Sequence, residues 1–406
     1  MSLPVNRRRK LIFLWTYANW GGAQVYFFAI MKLARKTWDV VVVLPRESKP
    51  ELLGYLDELG VRREYLPIRF DPKVETTIRG KIKRQFERIR SEITAYRHLR
   101  KIDLRESVLH LEVAPWQSWQ LLTMLSLRGA NVFATLHNFR PDAPWWRRLV
   151  WKLRFQIASR LPGFHIFASN RDTKESLKNW VTPKFWETIE VTYTCVDPEL
   201  IKSARVAGLD VRSERQKLGI PNDCFVVLAV GQFIDRKGRW IFLEAAQRLK
   251  SHTDIYFVWV MPDGISEEEQ GRIEEYDLGN RFVPVISSSI GSERVEILRF
   301  FRLADAFALP SYVEGLPIAL LEAMAMGIPS ISSKVYAIPE AVIHEETGLL
   351  IDAGDADALA NAIMRLKRDT GLREKLAVQG SEFVLTNFDE RDAARQCIRA
   401  YENCFE

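Results

Sequence analysis

Cysteine is scarce in this sequence: four residues in 406, with no C-x-x-C pair and no histidine at zinc-finger spacing. This argues against a disulfide scaffold and a structural metal, and it favours reduced thiols in a cytoplasmic compartment. Long apolar runs are also missing, because segments such as FVVLAV are strand-sized and a membrane-spanning helix needs about 18 residues. Glycine and proline together number only 39, and 47% of residues are hydrophobic, so we expect a folded protein, soluble or peripheral to a membrane.

Charge is distributed unevenly along the chain. Residues 1–200 contain 34 Lys and Arg against 20 Asp and Glu, whereas residues 201–406 contain 24 against 32. Ten of the twelve tryptophans also lie in the first half. A basic, tryptophan-rich half suits a phospholipid surface, an anionic glycolipid or, less specifically, nucleic acid.

Two series of alternating strand and helix patterns predict an α/β fold. The first opens with a strand at 11–17, a glycine loop, a helix at 23–36 and the β-branched run DVVVVLP. The second starts with CFVVLAVG at 224–231, and the polar segment 200–223 between them is expected to be an interdomain linker with an entry helix. We therefore predict two Rossmann-like domains.

The most specific segment is LPSYVEGLPIALLEAMAMGIPSI. It predicts a strand, a loop with Glu314, and a helix that has Pro317 in its first turn and ends at Gly327. Glu322 is the only polar side chain of this apolar helix, so its carboxylate is expected to be buried and to need a partner. Two interpretations stay open from the residues alone. Either the carboxylates bind a ligand at the carboxyl edge of the sheet, or Glu322 pairs with a buried cation and Glu314 caps the helix.

The spacing of Glu314 and Glu322 resembles the E-x7-E signature of the family-4 retaining glycosyltransferases, followed by the family's G-x-P at Gly327 and Pro329. Other segments extend the resemblance over most of the chain. GQFIDRKGRWIFLEAA resembles the first strand and loop of the family's C-terminal domain, and NWGGAQVYFFAIMKLA resembles its N-terminal glycine loop and helix. TLHNF resembles the strand end that carries a histidine facing the sugar, and ETGLLID the segment after the signature.

The resemblance implies a GT-B fold of two facing Rossmann-like domains. It predicts an acceptor-binding domain at 1–200, a nucleotide-sugar-binding domain at 201–386, and a C-terminal helix at 387–406 that returns to the first domain. Donor contacts are implied for a group of residues in these motifs: Gly22, Gln232, Arg236, Lys237, Glu314, Gly315, Leu316, Pro317, Ile318 and Glu322.

Specific roles also follow from the resemblance. Glu322 would bind the ribose, Glu314 the donor sugar, Arg236 and Lys237 the diphosphate, and His137 would contact the sugar near its anomeric carbon; Glu314, His137, Lys237 and Arg236 are the implied catalytic residues. A nucleotide-diphosphate sugar is the implied cosubstrate, with no metal and no other cofactor. Transfer would retain the anomeric configuration, with a lipid-linked or polysaccharide acceptor in the cytoplasm.

Three positions depart from the family pattern. Gln232 stands where many members have arginine, Thr194 and Cys195 replace Asn-Gly, and residues 335–337 replace a glycine-rich turn. We expect these changes to affect the choice of donor or acceptor more than the class of reaction.

Two basic segments are hypothesised to meet an anionic membrane surface, which would place the protein on the inner face of the cell membrane. The tract 69–105 carries 12 Lys and Arg against five acids and reads as a helix, for which a solvated face is an equal alternative. The segment 144–161 mixes aromatic and basic residues, which favours a headgroup region or an acceptor surface, although its tryptophans could instead be core. The residues concerned are Trp145, Trp146, Arg147, Arg148, Trp151, Lys152 and Arg154.

Other functions fit the sequence less well. A NAD-dependent oxidoreductase would need a G-x-G-x-x-G turn, which the first strand–helix junction lacks. No nucleic-acid-binding module is recognised, so nucleic acid is not an expected partner. A catalytically silent homologue acting at a membrane surface or on nucleic acid would not need the full set of implied catalytic residues.

Overall fold

The computed structural model describes residues 8–15, 22–68, 77–111, 118–140, 142–291 and 293–406. The chain forms two compact units. The N-terminal unit comprises Met1–Tyr193 together with Arg391–Glu406, and the C-terminal unit comprises Thr194–Glu390.

The N-terminal unit is built on a parallel sheet of seven strands in the order β3-β2-β1-β4-β5-β6-β7. Its central strands are almost wholly buried, as expected for β-branched and apolar runs covered by helices on both faces. The strands are β1 (Lys10–Leu14), β2 (Asp39–Pro45), β3 (Arg62–Leu66), β4 (Ser107–Leu111), β5 (Asn131–Leu136), β6 (Phe164–Ala168) and β7 (Glu190–Val191).

Helices connect these strands in the pattern that parallel strands require. The predicted helix in the basic tract 69–105 is present at residues 78–99; residues 69–76 of that tract lie outside the described part of the chain. The helices are α1 (Gly22–Ala34), α2 (Pro50–Glu58), α3 (Ile78–Leu99), α4 (Trp119–Ser126), α5 (Trp145–Ala158), α6 (Arg171–Leu177) and α7 (Pro183–Thr188).

The C-terminal unit has a parallel six-stranded sheet in the order β10-β9-β8-β11-β12-β13. Two parallel sheets with these strand orders confirm the predicted α/β architecture of two Rossmann-like domains. The strands are β8 (Phe225–Val230), β9 (Ile255–Met261), β10 (Phe282–Ile286), β11 (Ala306–Leu309), β12 (Ser330–Ser333) and β13 (Leu349–Ile351).

The polar segment 200–223 is not the linker that its composition predicted. It contributes two helices that pack inside the C-terminal unit, and the Arg215 guanidinium donates to the main-chain oxygens of Leu303 and Cys224. The helices of this unit are α8 (Pro198–Val206), α9 (Val211–Lys217), α10 (Arg239–Arg248), α11 (Glu267–Glu274), α12 (Ser287–Ile290), α13 (Arg294–Phe300), α14 (Ile318–Ala325), α15 (Ala356–Arg368) and α16 (Thr370–Asn387). Short 3₁₀ turns lie at Asp235–Lys237, Gly279–Arg281, Phe301–Leu303 and Ile338–Glu340.

The last helix, α17 (Glu390–Asn403), supplies a polar core to the N-terminal unit. The Tyr401 hydroxyl lies 2.6 Å from Nδ1 of His110, whose Nε2 lies 2.7 Å from the Thr135 hydroxyl. The Tyr26 hydroxyl lies 3.1 Å from Cys397 Sγ. Because every group in this network is buried and paired, the helix is held by hydrogen bonds as well as by apolar packing.

Burial of His110 makes the stability of the N-terminal unit depend on pH. Burial lowers the pKa of His110 to about 3, and between pH 6.5 and pH 3 the unfolded chain therefore binds a proton that the folded unit does not. Stability should fall as pH falls, by about 2 kcal/mol between pH 6.5 and pH 5 from this residue. His110→Gln keeps the hydrogen-bonding capacity and should remove this share of the fall, while His137 and His165, whose pKa values burial lowers to about 4, keep theirs. Urea unfolding with tryptophan fluorescence measures the difference.

The control for this prediction is His344→Gln, at an exposed histidine of the C-terminal unit. An equally steep loss of stability in wild type and His110→Gln would contradict the assignment.

Candidate active site

The predicted donor residues cluster at the carboxyl edge of the C-terminal sheet. Strands β8 and β11 are neighbours at the point where the strand order reverses, and their carboxyl ends meet at one edge. The loop after β8 carries Arg236 and Lys237, and the loop after β11 carries Glu314. This edge is where open α/β sheets bind ligands.

An ion pair joins the two loops. Nζ of Lys237 lies 2.6 Å from Oε1 of Glu314, and the Arg236 guanidinium lies 3.5 Å from the second carboxylate oxygen. The Ser311 hydroxyl donates to Glu314 at 3.1 Å. Glu314 is 5% exposed and the Lys237 side chain 13%, whereas the Arg236 side chain is 42% exposed and can reach an incoming ligand.

Main-chain contacts fix the spacing of the same loops. Gly238 has φ of +72°, and a Cβ placed there would lie 1.9 Å from the Pro310 carbonyl oxygen. The Tyr312 N–H donates to the Arg236 carbonyl at 2.9 Å. Only glycine fits at 238, because both the left-handed backbone and the close approach of Pro310 exclude a side chain.

Helix α14 begins beside this cluster and has the buried, apolar character that was predicted. Pro317 occupies the N-cap and not the first helical turn, and Ile318 opens the helix. At the other end, Gly327 has φ of +79°, and the N–H groups of Gly327 and Ile328 donate to the carbonyls of Met324 and Ala323, which is a Schellman motif. The predicted end of the helix is therefore confirmed.

Glu322, on the second turn of α14, forms an ion pair with Arg294 at the start of α13. Glu322 is 7% exposed, and burial raises the pKa of its carboxyl, an effect that the charge of Arg294 and its hydrogen bond oppose. Glu322 is therefore paired with a cation, as the second open interpretation held, but the cation is partly exposed and not buried. The Arg294 side chain is 20% exposed, so solvent reaches the pair from the side of the arginine.

The capping role considered for Glu314 does not fit the same geometry. No side chain caps α14 in the described part of this region, since Glu314 faces Lys237, Arg236 and Ser311 instead.

The remaining donor residues of this unit offer main-chain groups more than side chains. Leu316 and Ile318 are buried, and an N–H at the first position of a helix has no intrahelical acceptor, which makes it available to an anion. Gly315 is partly buried in the loop between them and Glu314. Gln232 is exposed in the loop after β8.

The other predicted site residues belong to the N-terminal unit. His137 directly follows β5, and its Nε2 is enclosed without a hydrogen-bond partner among the described residues. Its ring stands edge-on to Tyr26, with centroids 5.6 Å apart, and burial lowers the pKa of His137 to about 4. Gly22 is the first residue of α1, and the glycine loop before it lies outside the described residues.

The predicted surface segment forms α5, and its first tryptophans are not core residues. Trp145 is 76% exposed and Trp146 51%. Arg147 lies over the Trp146 ring at 5.2 Å, and Arg154 lies over the ring of Trp119 in α4 at 5.6 Å. Trp151 is partly buried; Arg148 and Lys152 are exposed.

Two residues of the site escaped the sequence analysis. Arg294 lies 28 positions before its partner Glu322, and Ser311 lies three positions before Glu314. A buried carboxylate needs a partner, so the sequence indicated that Glu322 pairs with a basic residue. It contains 58 Lys and Arg residues and does not indicate which one is the partner.

Two further features concern the described ranges: membrane-spanning helices and metal sites. No helix there is both long and apolar enough to cross a membrane. In the same ranges, no cluster of three or more His, Cys, Asp and Glu side chains could hold a metal ion. Metal-independent chemistry remains a prediction.

Comparison with known proteins gives the site a family context. Residues 210–383 match the family model described as Glycosyl transferases group 1. This stretch lies within the C-terminal unit and contains all the predicted donor residues of that unit, from Gln232 to Glu322.

Relatives and solved structures agree with the family model. The lipopolysaccharide core biosynthesis glycosyltransferase LpsD of Rhizobium meliloti is 28% identical over 274 residues, which cover 63% of this chain and 74% of LpsD. LpsE of the same organism, of the same description, is 30% identical over 183 residues, 45% of this chain and 51% of LpsE, so the chain spans about half of its length. The crystal structure of Anabaena HepE in complex with UDP-glucose has a TM-score of 0.77 at 18% identity, covering 98% of this chain and 100% of HepE.

The family model, the relatives and the fold together support a glycosyltransferase of the GT-B fold. At 18% identity, the likeness to HepE shows the fold alone. The comparisons give no support to the oxidoreductase alternative or to a silent homologue.

The close approach at Gly238 makes a direct prediction. Gly238→Ala should lower the free energy of unfolding of the C-terminal unit by about 2–4 kcal/mol, because the new methyl collides with the Pro310 carbonyl and the backbone is left-handed. Chemical unfolding measures the loss. The matched control is Gly271→Ala in α11, where a Cβ meets no atom within 4 Å and helix propensity should add up to about 1 kcal/mol. Equal effects of the two substitutions would contradict the packing described.

Proposed function

We propose that this protein is a retaining, metal-independent glycosyltransferase that moves a sugar from a nucleotide-diphosphate sugar to a lipid-linked or polysaccharide acceptor. The observation that carries the proposal is the cluster of Lys237, Arg236 and Glu314 at the carboxyl edge of the C-terminal sheet, beside the start of α14. Two cations and a helix N-terminus at this edge form an environment suited to a diphosphate.

The ion pair of Lys237 defines how a donor would enter. Without a ligand, Lys237 neutralises Glu314. A diphosphate offers Lys237 and Arg236 competing oxygens, and hydroxyls of the donor sugar can donate to the carboxylate that the lysine releases. The exchange leaves neither charge without a partner, which is required of groups as buried as Lys237 and Glu314.

Glu322 suits the ribose of the same donor. Its carboxylate is buried and can accept two hydroxyl hydrogen bonds while Arg294 keeps the charge neutralised. Hydrogen bonds from hydroxyls to the ionised carboxylate would lower the pKa that burial raises. The arrangement therefore favours a neutral diol over an anion at this position.

The reaction needs charge stabilisation more than a general base. The bond between the anomeric carbon and the phosphate oxygen breaks, a bond to the acceptor hydroxyl forms on the same face, and the leaving phosphate takes the acceptor's proton. Positive character grows at the sugar ring and negative charge grows on the leaving oxygens, opposite Lys237 and Arg236. Preorganised groups of this kind act where charge develops in the transition state.

His137 would act as a neutral side chain. A pKa of about 4 leaves its imidazole uncharged near pH 7. An uncharged ring can hydrogen-bond a sugar hydroxyl and does not repel the positive character at the anomeric carbon. Its enclosed, unpartnered Nε2 is consistent with a polar contact that a ligand supplies.

The relatives suggest the acceptor class. LpsD and LpsE are described as lipopolysaccharide core biosynthesis glycosyltransferases, which supports a lipid-linked or polysaccharide acceptor for this chain. HepE was crystallised with UDP-glucose, so UDP and its sugars come first in a donor screen that also includes GDP, ADP and NAD.

Lys237→Met should weaken nucleoside-diphosphate binding at least tenfold and lower turnover about 100-fold to 1,000-fold, because it removes the charge opposite the phosphates and keeps most of the unbranched side chain. Thermal shift and calorimetry with UDP, GDP and ADP measure binding. Lys250→Met, at an exposed lysine paired with Asp277, is the control and should bind normally. Unchanged affinity in Lys237→Met, or a shift with NAD alone, would overturn the proposal.

Retention makes a separate prediction about the product. With water as acceptor, the sugar released from an α-linked nucleotide sugar should appear first as the α-anomer, because attack comes from the face that the phosphate leaves. Proton NMR during the first minutes of hydrolysis separates the anomers before they equilibrate. Initial release of the β-anomer would show inversion and contradict the mechanism.

A further inference from the structure

Helix α3 presents a row of apolar side chains to solvent. With 3.6 residues per turn, these side chains occupy an arc of about 80° around the helix. None of the residues 78–90 is buried, so the first half of the helix contributes nothing to the apolar core. The exposed side chains are Ile78, Ile82, Phe86, Ile89 and Ile93.

Basic residues flank the row on both sides. Residues 78–90 contain six Lys and Arg and a single acid, Glu87. By helical geometry, Lys81 and Arg84 fall on one side of the apolar arc, beside Arg88, which is paired with the buried Glu92. Three more basic residues fall on the other side: Arg79, Lys83 and Arg90. An apolar arc between two basic borders is typical of a helix that lies in a membrane interface.

Helix α5 repeats the arrangement. Its exposed apolar side chains span an arc of about 140°, bordered by Arg148 and Lys152 on one side and Arg147 and Arg154 on the other. The apolar residues of this row are Trp145, Trp146, Leu149, Val150, Leu153 and Ile157.

The two helices belong to one face of the N-terminal sheet. Both pack against α4, and α3, α4 and α5 share one apolar core that includes Leu99, Leu121 and Phe155. Among the residues that the structure describes, 11 of the 18 exposed large hydrophobic side chains lie on α3 and α5, and only five lie in the C-terminal unit. The exposure is therefore concentrated on one region of one unit.

We propose that α3 and α5 together form a docking surface for a bilayer that contains anionic phospholipid. Basic borders on both helices complement lipid phosphates, and the apolar rows match the acyl boundary below them. The tryptophans of α5 belong to the residue type that favours the headgroup level. A second copy of this chain is a poorer occupant, because it would bring basic borders against basic borders.

Vesicle flotation tests the surface with the full chain. Wild type should float with vesicles of phosphatidylcholine and phosphatidylglycerol at 7:3. The bound fraction should be at least tenfold lower with phosphatidylcholine alone. Adding 0.5 M NaCl should weaken binding to the anionic vesicles through screening. The double variants Ile82→Gln/Phe86→Gln and Leu149→Gln/Leu153→Gln should each reduce the bound fraction at least fivefold.

The matched control replaces exposed apolar residues elsewhere, with Val206→Gln/Val378→Gln in the C-terminal unit. This variant should float like wild type. Circular dichroism and the nucleotide thermal shift should be the same in all variants, because the substitutions lie at exposed positions outside the donor site.

Three results would contradict a membrane-docking surface. The first two are no flotation of wild type with anionic vesicles, and equal flotation of wild type and the α3 or α5 variant. The third is that wild type is a dimer by size-exclusion chromatography and the variants lose the dimer without a change in vesicle binding. Flotation requires neither donor nor acceptor. Its failure would therefore leave the proposed glycosyl transfer intact, and failure of nucleotide binding would leave the docking surface intact.

Discussion

The ion pair between Lys237 and Glu314 links the loops that follow β8 and β11, and the geometry of the candidate site depends on it. The two strands are neighbours only because the sheet reverses its order between them, which places both loops at one edge. The tight contact of Gly238 with Pro310 then sets the distance at which lysine and carboxylate meet.

Charge neutralisation explains why the site contains its particular residues. Each buried carboxylate has its own cation, Lys237 for Glu314 and Arg294 for Glu322, since an unpaired buried charge is strongly destabilising. In both pairs the cation is more exposed than the carboxylate. A ligand that brings phosphates and hydroxyls can therefore exchange partners with the pairs and need not force a bare charge into the protein.

Strong local patterns were enough to predict the fold. The β-branched run 39–45 became β2 over the same residues, and Gly327 ends α14 in the left-handed conformation that a glycine there predicts. Contacts between distant segments could not be predicted. The polar composition of 200–223 gives no sign that Arg215 is buried. The choice of Arg294 as the partner of Glu322 depends on α13 and α14 both packing against α8.

One departure from the family pattern has a structural counterpart. The sequence lacks glycine at 335–337, and Tyr336 takes φ of +49°, a backbone conformation that glycine adopts without strain. The fold therefore holds a left-handed residue here although the sequence offers no glycine, and the residue type alone would not have predicted it.

The exchange of partners at Lys237 is the central claim, and a crystal structure with a bound nucleoside diphosphate tests it most directly. We expect phosphate oxygens within hydrogen-bond distance of Lys237 and Arg236, and ribose hydroxyls on Glu322. A diphosphate bound elsewhere, with the Lys237–Glu314 and Arg294–Glu322 pairs closed to it, would contradict the account.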